Sequence, residues 1–172
     1  TPSNSEYKNL AGVGLAYILA STLAVEVNKL SSLKIALDLF CIGTIADMAP
    51  VTGFNRYLLK KGLKIIHLTE CKGLKALYQQ CSFNHNQITA REISFQIAPR
   101  INAVGRIGNP DLVLNLFSET DSTIANQLAK ECDKINNKRR NISETIESEA
   151  KAILEADKNI EHSFILIAQS HW

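Results

Sequence analysis

The sequence predicts a mainly α-helical chain, and three observations support that prediction. Apolar residues recur at three- and four-residue spacing along much of the 172-residue chain, which is the period of an amphipathic helix. Ser3 with Glu6, and Thr89 with Glu92, match the capping-box pattern that opens helices. A single short apolar run, residues 163–169, is typical of a β-strand.

Signals for helix starts and ends divide the first hundred residues into five predicted helices. Gly12 and Gly14 lie inside the first predicted helix, where they cost helix propensity, so we expect them to permit close packing. Thr52 is the predicted cap of the third helix. Proline disfavours α geometry in the residue before it, so the fifth helix is expected to end before Pro99. The five predicted helices end at about residues 27, 45, 67, 81 and 98.

Residues 100–108 are predicted to form a loop between two helices. Asn109 and Pro110 match an N-cap followed by the first helical position, and the helix that they open is expected to run to about residue 117. Because functional groups tend to lie on loops held by a rigid scaffold, the polar residues of this loop are candidates for a binding site.

One long helix is predicted to begin at Asp121 and to run to about residue 158. This stretch contains no proline or glycine, and at about 1.5 Å per residue it would span roughly 55–60 Å. Its apolar stripe is narrow and charges of both signs crowd its other faces, which favours a helix that links two bodies. Arg139 lies on the stripe, where an unpaired guanidinium is costly, so we expect it to face solvent, a carboxylate or substrate.

Arg100, Asn102, Gly105 and Arg106 form the most informative group in the chain. Arginine presents a planar fork of donors that fits phosphate oxygens two at a time, and glycine permits close approach of another backbone or ligand. The four residues therefore predict a phosphate-binding segment. The alternative is a helix end followed by a solvated basic turn.

Asp47 is the acid of a second group, GTIADMAP, which spans residues 43–50 after an apolar run. An acid at the end of a buried run is costly unless something pairs with it, and a metal ion can do so. Two alternatives stay open, because Asp47 could cap a following helix or could lie exposed beyond the core.

The net charge of +2 is unevenly distributed. Between Arg56 and Arg106 there are nine basic residues and two acidic ones, so this block carries +7 and the rest of the chain −5. Such a block fits the electrostatic footprint of a polyanion-binding protein. Several of its lysines also fit solvated helix faces.

Composition argues against several other classes of protein. No apolar run approaches the roughly 20 residues that span a bilayer, so no membrane association is expected. No signal-peptide pattern is visible. The four cysteines have neither CxxC nor Cys/His finger spacing, so a structural zinc site is not expected. Unpatterned cysteines of this kind favour a reducing cytoplasm.

Taken in order, the motifs resemble one family. GTIADMAP at residues 43–50, APRINAVGR at residues 98–106 and the charged helix around INNKRR at residues 135–140 look like the RecJ family of single-strand-specific DNA exonucleases, which belongs to the DHH phosphoesterases. The resemblance covers nearly the whole chain. It implies the C-terminal part of an α/β DHH-type catalytic domain in residues 1–118, a long linking helix in 119–159, and the first strand of a DHHA1-type domain in 160–172.

The resemblance also implies a chemistry. A DHH phosphoesterase uses two divalent ions, here Mn²⁺ or Mg²⁺, and Asp47 matches the last metal-ligand aspartate of the family. Arg100, Asn102, Gly105 and Arg106 match its phosphate-side motif. The implied substrate is single-stranded DNA, hydrolysed from 5′ to 3′ in DNA repair and recombination.

The chain departs from the family pattern in one respect. The Asp-His-His triplet that names the family is absent, so most of the metal ligands would lie outside this chain. The chain therefore looks like an internal segment that would be inactive alone. Two alternatives remain: a non-enzymatic helical module that binds nucleic acid or acts as a scaffold, and a DHH phosphodiesterase acting on short oligonucleotides or cyclic dinucleotides.

Overall fold

The computed structural model describes residues 4, 5, 7–84, 86–156 and 164–172, and within these ranges the chain is helical and has no β-strand. The mainly α prediction is therefore confirmed for the described residues. A π-helical segment, Ile93–Ile97, joins α5 to α6. The α-helices are α1 Gly12–Glu26, α2 Leu33–Ala46, α3 Gly53–Gly62, α4 Lys72–Gln79, α5 Ala90–Glu92, α6 Ala98–Ile107, α7 Asp111–Ser118 and α8 Ser122–Ala156.

The hydrophobic core is formed by side chains of α2, α4, α6, α7, the π-segment and the first half of α8. Several glycines permit close helix contacts, and Gly43 and Gly73 are two of them. A Cβ at Gly43 would lie 2.8 Å from Val13 Cγ1, and one at Gly73 would lie 2.1 Å from the backbone oxygen of Leu116. The largest fully buried side chains are Phe40, Ile66, Leu74, Leu77, Ile93, Ile97 and Leu116.

The predicted loop at residues 100–108 is wrong, because residues 98–107 form α6. In a regular α-helix Pro99 would lack one hydrogen bond and its ring would clash with the carbonyl four residues earlier. The preceding turn is instead π-helical, with the N–H of Ala98 bonded to the oxygen of Ile93. This wider turn accommodates the proline, so the helix continues through it. The capping box predicted at Thr89 is confirmed.

The strand predicted for residues 163–169 is not found in its described part, residues 164–169. A strand forms only when its backbone pairs with a neighbour, and the described residues include no such neighbour. The capping pattern of Ser3 and Glu6 lies outside the described residues. Of the two glycines expected to permit close packing, Gly14 faces Leu10, whereas a Cβ at Gly12 would meet nothing within 4 Å.

The long helix α8 is continuous over 35 residues, about 52 Å at 1.5 Å per residue. Its first half packs against α4, α6 and α7, whereas Ile142 and Ile153 farther along are exposed. The buried residues of α8 therefore lie in its first half, and a linking role for the helix stays a prediction. Arg139 is half-buried, and its Nε has no hydrogen-bond partner among the described residues.

The four cysteines, Cys41, Cys71, Cys81 and Cys132, are free and buried. Burial raises the pKa of each thiol above its ordinary value, so these side chains act as small apolar core residues. Among the helices of the described ranges, none is both long and apolar enough to cross a membrane.

Candidate nucleic-acid and metal-binding site

Asp47 lies at the C-terminal end of α2, where the chain forms a Schellman motif. The N–H of Met48 bonds to the oxygen of Ile45 at 3.1 Å, and the N–H of Ala49 bonds to the oxygen of Thr44 at 3.1 Å. These two bonds satisfy carbonyls at the helix end. Asp47 is therefore the C-cap residue of α2, and it does not cap the following helix, whose N-cap position is held by Thr52.

Asp47 is exposed, and no ion pair joins it to any described basic residue. The last turn of α2 also contains no basic residue. A carboxylate at the negative end of a helix dipole is unfavourable by about 0.3–1 kcal/mol. The stability of this chain therefore gives no reason for an acid at this position, whereas a bound cation would.

The residue after Asp47 is also unusual. Met48 has φ 53°, a left-handed conformation in which the motif normally places glycine. Its side chain is 90% exposed and so gains nothing from burial. Backbone strain of this kind is commonly retained at functional sites.

Asn55 fixes the loop that follows Asp47. Its side-chain amide donates to the backbone oxygen of Asn9 at 2.9 Å and to that of Pro50 at 3.0 Å. The residue is buried, and its Oδ1 has no partner among the described residues. Asn55 thus ties the Asp47 loop to the segment before α1, a role that the sequence did not reveal.

Asn102, Gly105 and Arg106 share one exposed face of α6, at spacings of three and one residues. Neither the Asn102 nor the Arg106 side chain makes a hydrogen bond or ion pair to a described residue. A Cβ at Gly105 would meet nothing within 4 Å. Glycine inside a helix costs about 1 kcal/mol relative to alanine, and here no neighbour within the described chain accounts for it.

Arg100 points away from that face into a network within the chain. Its Nε donates to Asp133 Oδ1 at 2.8 Å, its Nη1 to the oxygen of Gln96 at 2.6 Å, and its Nη2 to the oxygen of Gln80 at 2.7 Å. The side chain is 15% exposed and that of Asp133 is 26% exposed. Since Gln80 is the C-cap of α4, Arg100 joins α4, α6 and α8.

Another acid, Asp38, lies within α2 and is buried, unlike Asp47 beyond the helix end. It is 3% exposed and borders a pocket with Lys34, Thr69 and Glu70. Burial raises its pKa to about 6, opposed by a hydrogen bond from Thr69. Sequence analysis did not single out this residue, because nothing in its spacing separates it from exposed acids.

The described residues do not form a complete metal site. No three His, Cys, Asp or Glu side chains in the described ranges are grouped closely enough to hold an ion. The exposed carboxylate of Asp47 suits Mg²⁺ or Mn²⁺, which prefer oxygen ligands. The chain can therefore contribute one ligand to such a site, and the described part cannot form a two-ion site alone.

Comparison with known proteins gives a consistent result. No protein-family model matches the chain. It is 35% identical over 167 residues to the single-stranded-DNA-specific exonuclease RecJ of Bacillus subtilis, a match that covers 96% of this chain and 20% of that protein. It is 34% identical over 154 residues to RecJ of Thermus thermophilus, covering 85% of this chain and 22% of that protein.

Solved structures give the same match. RecJ of Thermus thermophilus in complex with Mg²⁺ superposes with a TM-score of 0.73 at 33% identity, covering 84% of this chain and 23% of that one. An exonuclease RecJ bound to manganese superposes with a TM-score of 0.73 at 34% identity, covering 85% of this chain and 36% of that one. The fold is therefore one found in metal-binding exonucleases.

Over the region that it covers, this chain is a homologue of RecJ and shares its fold. The chain spans about a fifth of the length of the Bacillus and Thermus proteins.

Proposed function

We propose that this chain supplies part of the catalytic centre of a RecJ-type single-stranded-DNA exonuclease. Asp47 is one ligand of a Mn²⁺ or Mg²⁺ site, and the exposed face of α6 binds the phosphates of the DNA. The observation that carries the proposal is the exposed carboxylate of Asp47, which lacks a described cationic partner at the negative end of α2.

The role of Asp47 is to hold an ion at a fixed position. When bound, paired divalent ions activate water and stabilise the charge that develops in phosphodiester hydrolysis. The Schellman motif fixes the backbone on both sides of Asp47, and Asn55 anchors the loop that follows. The carboxylate is thus presented on a rigid turn, as precise metal positioning requires. The remaining ligands come from outside the described residues.

The α6 face binds phosphate without transferring protons. Arg106 is permanently charged and has no described partner for its guanidinium, so it can stabilise negative charge but is a poor acid or base. Asn102 can donate an amide hydrogen to a phosphate oxygen, and Gly105 lets the DNA backbone approach the helix. Phosphate binding by Arg100 remains a prediction, because the network with Asp133 leaves only part of its donor set available.

The domain division follows from the same proposal. Residues 1–118 belong to the C-terminal part of a DHH-type catalytic domain, residues 119–159 include the helix that leaves it, and residues 160–172 enter a DHHA1-type domain. Exposed Ile142 and Ile153 on the second half of α8 support the helix leaving the packed body. The free, buried cysteines support a reducing cytoplasmic location.

Hydrolysis of 5′-labelled single-stranded DNA by the full-length protein tests this proposal. With Mn²⁺ present, Asp47→Ala is expected to lower turnover by about 100-fold or more, since even residues that only orient a metal ligand cost about 10- to 100-fold. Its thermal stability and DNA affinity should stay close to wild type. Glu26→Ala, which removes an exposed acid at the far end of α1, is the matched control and should leave turnover unchanged.

Two results would contradict the proposal. Wild-type turnover of Asp47→Ala at limiting Mn²⁺ would show that Asp47 is not a ligand. A full-length protein that binds single-stranded DNA but never hydrolyses it, with either ion, would favour the non-enzymatic nucleic-acid-binding alternative.

A further inference from the structure

Phe95 is a large aromatic side chain in an unusual position. It lies in the π-helical segment and is 76% exposed. The rings of Tyr17 and Phe40 pack together, as do those of Tyr7 and Phe54, but Phe95 has no aromatic partner among the described residues. Because exposing this ring gives up the stabilisation that burial would provide, the stability of the described chain does not account for it.

Phe95 lies in a stripe with the residues already assigned to the DNA-binding face. Arg91, Phe95, Pro99, Asn102 and Arg106 follow one another at spacings of four, four, three and four residues, which is the helical repeat of a single face. Four of them are exposed and Pro99 is half-buried. At about 1.5 Å per residue this 91–106 stripe is roughly 20 Å long.

Charged, aromatic and amide side chains follow one another along the 91–106 stripe. An arginine stands at each end, the aromatic ring follows the first arginine, and an amide precedes the second. Arg91, Glu92, Phe95 and Gln96 line an open groove of about 630 Å³. The carboxylate of Glu92 accepts a hydrogen bond from the N–H of Thr89 at 3.0 Å, so this acid is engaged in the helix cap.

We infer that Phe95 stacks on a base of single-stranded nucleic acid that runs along the 91–106 stripe, with phosphates at Arg91 and Arg106. This inference rests on the proposed function, and it adds a base contact to the phosphate contacts of α6. An aromatic ring accepts any base because every base has a π-face, so such a contact suits an enzyme that reads no sequence. If another protein segment covered Phe95, apolar side chains around the ring would be enough, and an arginine at each end of the 91–106 stripe would not be needed.

Binding of fluorescently labelled oligodeoxythymidylate is compared with binding of an abasic oligonucleotide of the same length, using the full-length protein and anisotropy. Both ligands carry the same phosphates, so the ratio of their affinities isolates the contribution of the bases. Phe95→Ala should weaken binding of the thymidylate by about 5- to 150-fold, the range for loss of one stacked base. Its affinity for the abasic ligand should not change.

Four further variants complete the design. Phe95→Trp should keep the preference for the base-containing ligand. Phe95→Leu should lose it, because leucine has an apolar surface but no π-face. Arg106→Ala should weaken both ligands by the same factor. Leu114→Ala, which truncates another exposed apolar residue on α7, is the matched control and should affect neither ligand.

An affinity ratio of the two ligands that is unchanged in Phe95→Ala would overturn the inference. A wild-type ratio in Phe95→Leu would overturn it as well. A large loss of thermal stability in Phe95→Ala, with equal weakening of both ligands, would also overturn it and would indicate that Phe95 packs against another protein segment. These outcomes are independent of hydrolysis. A protein that shows the base preference but does not cleave DNA would contradict the proposed function while supporting the stacking contact.

Discussion

Removing Arg100 should destabilise the fold, and the structure gives the size of the effect. The guanidinium bonds to Asp133 and to two backbone oxygens, and each hydrogen bond to a charged group contributes about 1.5–3 kcal/mol. Exposed ion pairs contribute about 0–1 kcal/mol, whereas breaking a buried pair costs about 3–5 kcal/mol. At 15% and 26% exposure this pair lies between those limits. We therefore expect Arg100→Ala to lower the free energy of unfolding by about 2–4 kcal/mol.

Urea unfolding followed by circular dichroism measures this loss, provided that wild type and variant have the same slope of unfolding free energy against urea concentration. A double-mutant cycle with Asp133→Ala should give a coupling energy of about 1–2 kcal/mol, within the range for residues in contact. Arg106→Ala is the matched control, because its exposed guanidinium has no described partner, and it should change stability by less than about 0.5 kcal/mol. Equal stabilities for the two arginine variants would refute the structural role of Arg100 and would favour a free phosphate-binding side chain.

Three further predictions follow from the packing. Gly73→Ala should lower the free energy of unfolding by several kcal/mol, because the new Cβ would clash with the backbone of Leu116. Gly105→Ala should raise the free energy of unfolding by about 0.5–1 kcal/mol and weaken the binding of single-stranded DNA. Thermal melts measure the stability changes, and fluorescence anisotropy measures the binding. The raised pKa of Asp38, about 6, means that the folded state holds the proton more tightly than the unfolded chain, so stability falls as pH rises toward 6. Asp38→Asn should therefore raise the unfolding free energy by about 1–3 kcal/mol above that pH and by progressively less toward about pH 4; an equal gain at both ends would contradict this. Hydrogen exchange should be slow in residues 125–136 and fast in residues 142–156, and uniform protection would mean that the second half of α8 is buried as well.

The sequence predicted the helices well wherever local rules decide the structure. The cap at Thr89 and the start of α7 next to Asn109 follow from side-chain hydrogen bonds to nearby backbone, although Pro110 rather than Asn109 holds the N-cap position of α7. α2 was predicted to within one residue because its sequence is long, mainly apolar and free of proline. These features depend on residues close together in the chain, so a single sequence contains the information.

The structure of α6 could not be predicted in the same way. Pro99 ends a helix under the local rule, and only the π-turn at Ile93–Ile97 allows it to continue. That turn is held by packing of Ile93 and Ile97 in the core, which are both fully buried. Such tertiary support is not visible from spacing along the chain.

The candidate site was predicted by residue type but not by arrangement. Asp47 is exposed, as one of the alternatives had it, and Arg106 is exposed on α6 rather than in a loop; their roles in metal and phosphate binding stay predictions. Both Arg100 and Arg106 were predicted to bind phosphate, whereas in the structure the guanidinium of Arg100 bonds to Asp133, 33 residues away along the chain. Phe95 was not identified, because an aromatic residue in an apolar helix is expected to be buried.

Counting Mn²⁺ ions on the full-length protein tests the central claim most directly. Electron paramagnetic resonance distinguishes free from bound Mn²⁺, so a titration gives the number and affinity of the bound ions without relying on catalysis. Asp47→Asn removes the charge and keeps the shape of the side chain, and we expect it to weaken at least one ion by about tenfold or more, which is a loss of about 1.4 kcal/mol. The control Glu26→Gln should bind as wild type does. Identical Mn²⁺ binding by wild type and Asp47→Asn would contradict the assignment of Asp47 as a metal ligand.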